Sequence, residues 1–345
     1  MTLELLRRLV AAPSPTGQEG PAADVMEEWL RRRGVPVLRI DRNIAAFREG
    51  AAPGPTLLLC SHLDTVPATA SWTRAPYTPT VEAGRLYGLG ANDAKASVAA
   101  MSVAFATAAV RRGRLVLAAT CEEESGRNGL EAFLPRLPRP DAAIVGEPTG
   151  LHIAVAQSGM LILDCFTEGK AGHAARPHLA DNAIYKAAAD IVKLESLELE
   201  RVHPRLGRTT HAVTVIQGGE RHNVIPDRCQ YTVDLRTTPA YTHAELVERV
   251  QARVSARVQV RSGRYRATET PEQTPVLVAA ERAWPAGRRF CSPTVSDWAH
   301  LHGIPAIKWG PGLSEVSHTA DEWVELQQVD AAAEAYARVV EELLG

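Results

Sequence analysis

The sequence predicts an α/β protein with a smaller ferredoxin-like α+β layer inserted into it, and three observations carry that prediction. Short apolar runs alternate with helical patterns through the first half, and several of those runs end in acids or histidine. Near residue 160 the order changes to β-α-β-β-α-β, and near residue 270 the first style resumes. A chain of 345 residues also exceeds what one simple core usually serves. The expected division is residues 1–158 with 268–345 for the larger domain and 159–267 for the insert.

In chain order, "TLELLRRLVAA" (2–12) is an amphipathic helix, and "GPAADVMEEWLRRRG" (20–34) is a second, closed by Gly34. "PTLLLCSHLD" (55–64) is a short apolar run suited to a strand buried on both faces. "KASVAAMSVAFATAAVRRG" (95–113) reads as a strongly apolar helix, and "RLVLAATCEEE" (114–124) and "DAAIVGEP" (141–148) as buried strands ending in acids. The insert then runs as strand 159–169, helix 179–197, strands 210–219 and 229–238, helix 242–256 and strand 257–267. Helix 274–284, strand 305–310 and helix 329–344 complete the larger domain.

Composition excludes several classes. A net charge of −2 gives no global attraction to nucleic acid or to an anionic membrane, and no nucleic-acid partner is expected. No run reaches the ~18 apolar residues of a membrane span, and the N-terminus lacks the apolar core of a signal peptide. Cys60, Cys121, Cys165, Cys229 and Cys291 form no CxxC pair and are odd in number, which fits a reducing cytoplasm better than a disulfide framework.

Five places put acids or histidine where strands end: His62 with Asp64, Asp93, the run Glu122–Glu123–Glu124, Glu147, and His318. Each alone has an ordinary reading, as a satisfied histidine or a solvated acidic face. "GLGAND" mimics a phosphate loop, but Asp93 stands where the third glycine belongs and would repel a phosphate. Converging on one sheet edge, unpaired carboxylates at this density repel one another. A divalent cation removes the conflict, and imidazole with carboxylate suits Zn²⁺ or a similar first-row ion.

The ordered set "SHLDTVP", "GLGANDAKAS", "EEESGRNG", "VGEPTG", "GKAGHAARPHLADNA", "NVIPDRCQYTVDLR" and "GPGLSEVSHTADE" resembles the M20 metallopeptidase family across nearly the whole chain. That resemblance implies a zinc-peptidase-like catalytic domain carrying a lid through which the protein forms a homodimer. It implies two Zn²⁺ per subunit, with Co²⁺ or Mn²⁺ able to substitute. His62 and Glu147 would hold one ion, a glutamate of the run and His318 the other, and Asp93 would bridge them before a cis peptide to Ala94. Asp64 would hold the far nitrogen of the His62 ring. Within the run, "EESGRNG" fits the family without a gap if Glu123 is the general base and Glu124 the ligand; the alternative is Glu122 as base and Glu123 as ligand.

The same resemblance implies that His173 on the lid donates to the oxyanion, in relatives from the partner subunit. It places Asn223 and Arg236 on the substrate carboxylate, with Ser296, and beside it Asp297, in a substrate-binding turn. "KWGPGLSEVSHTADEW" looks like the subgroup that releases lysine, or ornithine, from the terminal glutamate γ-carboxyl of a small acidic amino-group carrier protein. The arginine-rich "RVHPRLGR" and "RSGRYRAT" could steer such a carrier. N-Acetylornithine deacetylation and N-succinyl-diaminopimelate desuccinylation are the alternative reactions. An aminopeptidase would need a group that reads a free amine, and none is evident. A non-catalytic binding protein of this fold can lose ligands or the base, and here all are present.

Overall fold

A computed structural model describes residues 1–124 and 128–345; positions 125–127 of the "EESGRNG" motif lie outside the described residues. The chain forms two compact units, one of Met1–Val155, Glu269–Phe290 and Ser296–Gly345, the other of Ala156–Thr268 and Cys291–Val295. The segment Cys291–Val295, expected with the larger part, groups with the second unit, where the Ser292 carbonyl accepts the Ser158 N–H at 3.0 Å.

The first unit is built on four parallel strands in the order Arg112–Thr120, Ala52–His62, Ala142–Val145 and Ala306–Lys308. Antiparallel strands Asn43–Glu49 and Val37–Ile40 extend one side, and Ile153–Gln157 pairs Ala306–Lys308 on the other. Sequence patterning gave no strand over 37–49, because "VLRI" and "NIAAFRE" are short and carry charge in mid-run. Alternate residues of the parallel strands feed two cores. Leu57, Leu59, Leu115 and Leu117 pack with the long helices; Leu58, Cys60, Val116 and Ala118 pack with Leu130, Phe133 and Trp298.

The apolar helix spans Lys95–Thr107, shorter than expected, because Ala108 is extended and the chain re-enters the sheet at Arg112. Its Lys95 is fully buried, with Nζ donating to the Leu9 and Ala12 carbonyls at 2.9 and 3.2 Å, so it closes the C-terminal end of the helix Thr2–Ala11. Burial pulls the Lys95 amine down to about 7.

The second unit is a four-stranded antiparallel sheet in the order Thr210–Gly218, Arg228–Thr237, Gly159–Glu168, Arg257–Ser262. Helices Ala183–Glu195 and His243–Arg253 cover one face, over Leu161, Leu163, Tyr231, Val233 and Leu235. Two short ladders absent from the sequence reading are added, Gly172–His173 with Val224–Ile225 and Val202–His203 with Gly207–Arg208. Thr242 and Glu245 form a reciprocal capping box, and the Thr242 backbone N–H with Arg201 holds the Glu245 carboxyl down to about 2. A depressed carboxylate stabilises above its unfolded value and loses that contribution as pH falls through its folded one. The Tm advantage over Glu245→Gln is therefore expected to be full near pH 5 and to shrink as pH approaches ~2, readable by thermal scans across that range. Among the described residues no helix is long and apolar enough to cross a membrane.

Candidate metal centre

The carboxyl ends of three parallel strands, with the turn before the helix Lys95–Thr107 and the loop of His318, bring the five predicted ligands together. His62 ends its strand, buried, with Nε2 3.2 Å from Asp93 Oδ1 and 4.0 Å from Glu147 Oε1. His318 Nε2 lies 2.8 Å from Glu124 Oε1 and 3.7 Å from Asp93 Oδ2. Each Asp93 oxygen thus faces one imidazole, and two ligand groups share it: His62–Asp93–Glu147 and Asp93–Glu124–His318. The Asp93–Ala94 peptide is cis, as the resemblance implied.

These residues fit a pair of divalent cations. Glu147 Oε1 is buried with no hydrogen-bond partner among the described residues. Burial, with Asp93 nearby, pushes the Glu147 carboxyl up to about 7, and contact with Glu124 raises the His318 ring to about 9. Ligand atoms around a tetrahedral Zn²⁺ stand ~3.3 Å apart, the spacing that bonds of ~2.0–2.1 Å require. The donor separations of 2.8–4.0 Å bracket that value.

His62 Nδ1 faces the Asp64 carbonyl at 3.1 Å and the Asp64 carboxylate at 3.4 Å, acceptors that would hold a proton on Nδ1 and leave Nε2 for a metal ion. Asp64 does more than hold the ring. Its Oδ1 accepts the Glu123 N–H and its Oδ2 the Glu124 N–H, both at 3.0 Å, so one carboxylate anchors the turn that carries the acidic run. Within that run Glu124 reaches His318, whereas Glu122 is engaged by Arg42 and Asn128. Burial pushes the Glu123 carboxyl up; Glu147, Asp297 and Glu124 add to the rise against His62.

A model of the family described as Peptidase family M20/M25/M40 matches residues 58–342. The chain belongs to this family. It is therefore an amide-bond hydrolase of the metallopeptidase class. Solved structures share the M20 fold along the whole chain. A metallo-carboxypeptidase from Sulfolobus solfataricus matches at 17% identity and TM-score 0.80, covering 99% of both chains. A tripeptidase from Staphylococcus aureus matches at 20% and 0.81, covering 99% of this chain and 98% of that one. A Bacillus subtilis protein described as a dinuclear metal binding peptidase matches at 17% and 0.76, with 99% and 97% covered.

The remaining candidates of this M20 chain fall in two places. Ser296 is buried in the first unit and caps the short helix Asp297–His300, accepting the Trp298 N–H at 3.4 Å. The neighbouring Asp297 is buried beside the metal-site strands, accepting Thr120 Oγ1 at 3.0 Å, and burial raises it to about 6. His173, Asn223 and Arg236 lie exposed in the second unit. His173 pairs with Val224, and the Asn223 carbonyl accepts the Ala174 N–H at 3.0 Å, so the first two share one ladder. The Arg236 guanidinium is held by Asp234 on the same strand, at 2.9 and 3.1 Å.

Sequence reading missed Glu322. Its buried carboxyl group takes the N–H groups of Gly90, Asn92 and Asp93 at 2.9, 2.8 and 2.9 Å, filling the "GLGAND" loop from within. The Asn92 side chain in turn holds Leu313 and Ser317, on the approach to His318. The second acid of "TADEW", four residues past the candidate ligand His318, was the available signal.

Proposed function

We propose that this M20 hydrolase cleaves the amide between the terminal glutamate γ-carboxyl of a small acidic amino-group carrier protein and the α-amine of lysine, with ornithine as a second released amino acid. The reaction would belong to lysine and arginine biosynthesis, in the cytoplasm. The observation that carries the hydrolytic part is the pair of candidate ligand groups joined through Asp93 beside the half-buried Glu123. His62, Asp93 and Glu147 would hold one Zn²⁺, and Asp93, Glu124 and His318 the other, with Co²⁺ or Mn²⁺ as substitutes. Bound there, such ions supply Lewis acidity and a lowered water pKa.

The chain's own groups do the rest. Glu123 takes a proton from the attacking water and returns it to the leaving amine, a task that its raised pKa suits. His173 Nδ1 accepts the Ala175 N–H at 3.0 Å, so in the neutral ring the proton sits on Nε2, where a donor to a developing oxyanion is needed. Arg236 and Asn223 are assigned to the substrate carboxylate; Arg236 would exchange Asp234 for it.

The carrier assignment rests on "KWGPGLSEVSHTADEW" and on basic surface in the second unit. Arg201 and Arg261 are already ion-paired with Glu245 and Asp164, so steering would fall mainly to the exposed Arg208 and Arg266. A homodimer through the second unit is proposed on the open edge strand Thr210–Gly218 and the exposed Ile216, Tyr185 and Val192. Five free cysteines, four of them buried, support the cytoplasmic assignment.

Lysine release by the metal-loaded enzyme from a γ-glutamyl-lysine carrier conjugate, beside N-acetylornithine and N-succinyl-diaminopimelate, tests the reading. Preference for the conjugate is expected, reduced at low salt in an Arg208→Gln/Arg266→Gln double variant. Preference for either small substrate would keep the hydrolase and overturn the carrier.

A further inference from the structure

The turn after strand Arg112–Thr120 is held by side chains rather than by a backbone ladder. Four consecutive N–H groups each go to a side chain from another segment. Cys121 donates to Asn43 Oδ1 at 3.1 Å and Glu122 to Glu19 Oε1 at 3.0 Å; Glu123 and Glu124 donate to Asp64. Glu122 is left-handed, at φ 52°, a conformation that costs a non-glycine residue energy and has to be imposed by its surroundings.

Glu19 imposes it. This carboxylate is completely buried at the start of the helix Gly20–Arg31. Its Oε1 takes the Gly17 and Glu122 N–H groups, at 2.8 and 3.0 Å, and its Oε2 takes Arg42 Nε at 2.6 Å. The same guanidinium reaches the Glu122 carboxylate, which Asn128 Nδ2 also meets at 3.0 Å from each oxygen. One arginine thus holds two buried acids apart from the ligand cluster, one of them bonded to the backbone and the other part of it. Two buried carboxylates this close need a cation between them. A lysine there would lack the planar fork that serves both.

We infer that Glu19, locked by Arg42, is a positioning residue that aims Glu123 and Glu124. Its absence would let Glu122 relax out of the left-handed region and rotate the next two side chains away from His318 and the reacting water. The inference rests on the two-metal reading above, so its test reads the metals directly.

The full-length protein would be titrated with Zn²⁺ against a chromophoric chelator, and its Co²⁺ form followed by visible absorption. In Glu19→Ala, one of the two ions is expected to bind roughly 10–100-fold more weakly while the other keeps wild-type affinity. The Co²⁺ bands should change for that ion alone, and kcat should fall while KM stays near wild type. Glu19→Gln keeps an oxygen for the two N–H groups but turns an NH₂ group toward Arg42 Nε, so it should recover only part of the affinity. Equal weakening of both ions, or none, in a folded Glu19→Ala overturns the inference. Should that variant not fold, Arg42→Lys decides: selective weakening of one ion supports the inference, and wild-type affinity at both overturns it. A wild type that binds fewer than two ions sinks the metal reading, and this inference with it.

Discussion

Glu123→Gln is expected to lose roughly 10²–10⁴-fold in kcat on whichever amide the wild type turns over, the range that a positioned general acid–base group supplies. Its isosteric amide cannot take a proton from water, yet its backbone N–H can still bond Asp64. Metal content and Tm should therefore stay at wild-type values, which separates this variant from a ligand loss such as Glu124→Ala. Steady-state kinetics with metal analysis on the same preparation checks it. A larger loss in Glu122→Gln than in Glu123→Gln would reverse the assignment within the acidic run.

The second large effect falls on stability. Glu322→Ala removes the acceptor of three N–H groups in the loop that presents Asp93. A buried donor left unpaired costs ~1–3 kcal/mol, so a loss of about 3 kcal/mol or more is expected in urea unfolding. Glu322→Gln should cost less. Asn92 and Asp93 share Oε1, which an amide oxygen can replace, and only the Gly90 N–H at Oε2 would face an NH₂ group. An alanine variant within ~0.5 kcal/mol of wild type, the scatter of ordinary surface changes, would remove Glu322 from this role.

How far the sequence carried differs between the ligands and what holds them. The candidate ligands were legible through short family motifs after an apolar run or beside a glycine turn: His62 after "TLLLCS", Glu147 after "DAAIV", Asp93 in "GLGAND". The anchoring of those motifs was not legible, since it depends on pairs far apart in the chain. Glu19 meets Glu122, and Glu322 meets Gly90, across separations of 103 and 232 residues. Nothing local to "TGQEG" marks its glutamate as buried. Asp64 was placed on His62 by the family resemblance, while its bonds to Glu123 and Glu124 required the fold. The choice within the acidic run, Glu123/Glu124 or Glu122/Glu123, rested on motif spacing, and the contact of Arg42 with Glu122, eighty residues away in sequence, required the fold. In the insert, strands and helices followed from periodicity, and the two-residue ladders were too short to leave any.

The strand order has a consequence for how the protein is made. Ala306–Lys308 is the neighbour of both Ala142–Val145 and Ile153–Gln157, so a late segment sits in the interior of a sheet whose other strands are mostly early. A ribosome adding ~5–20 residues each second needs about 8–30 s to cross the intervening ~150 residues. During that interval the nascent first unit has Ala142–Val145 with one side unpaired, a template for pairing with another chain. The candidate ligand groups divide along the same line: His62, Asp93 and Glu147 have all been translated before the insert begins, whereas the group containing His318 waits until the insert has passed.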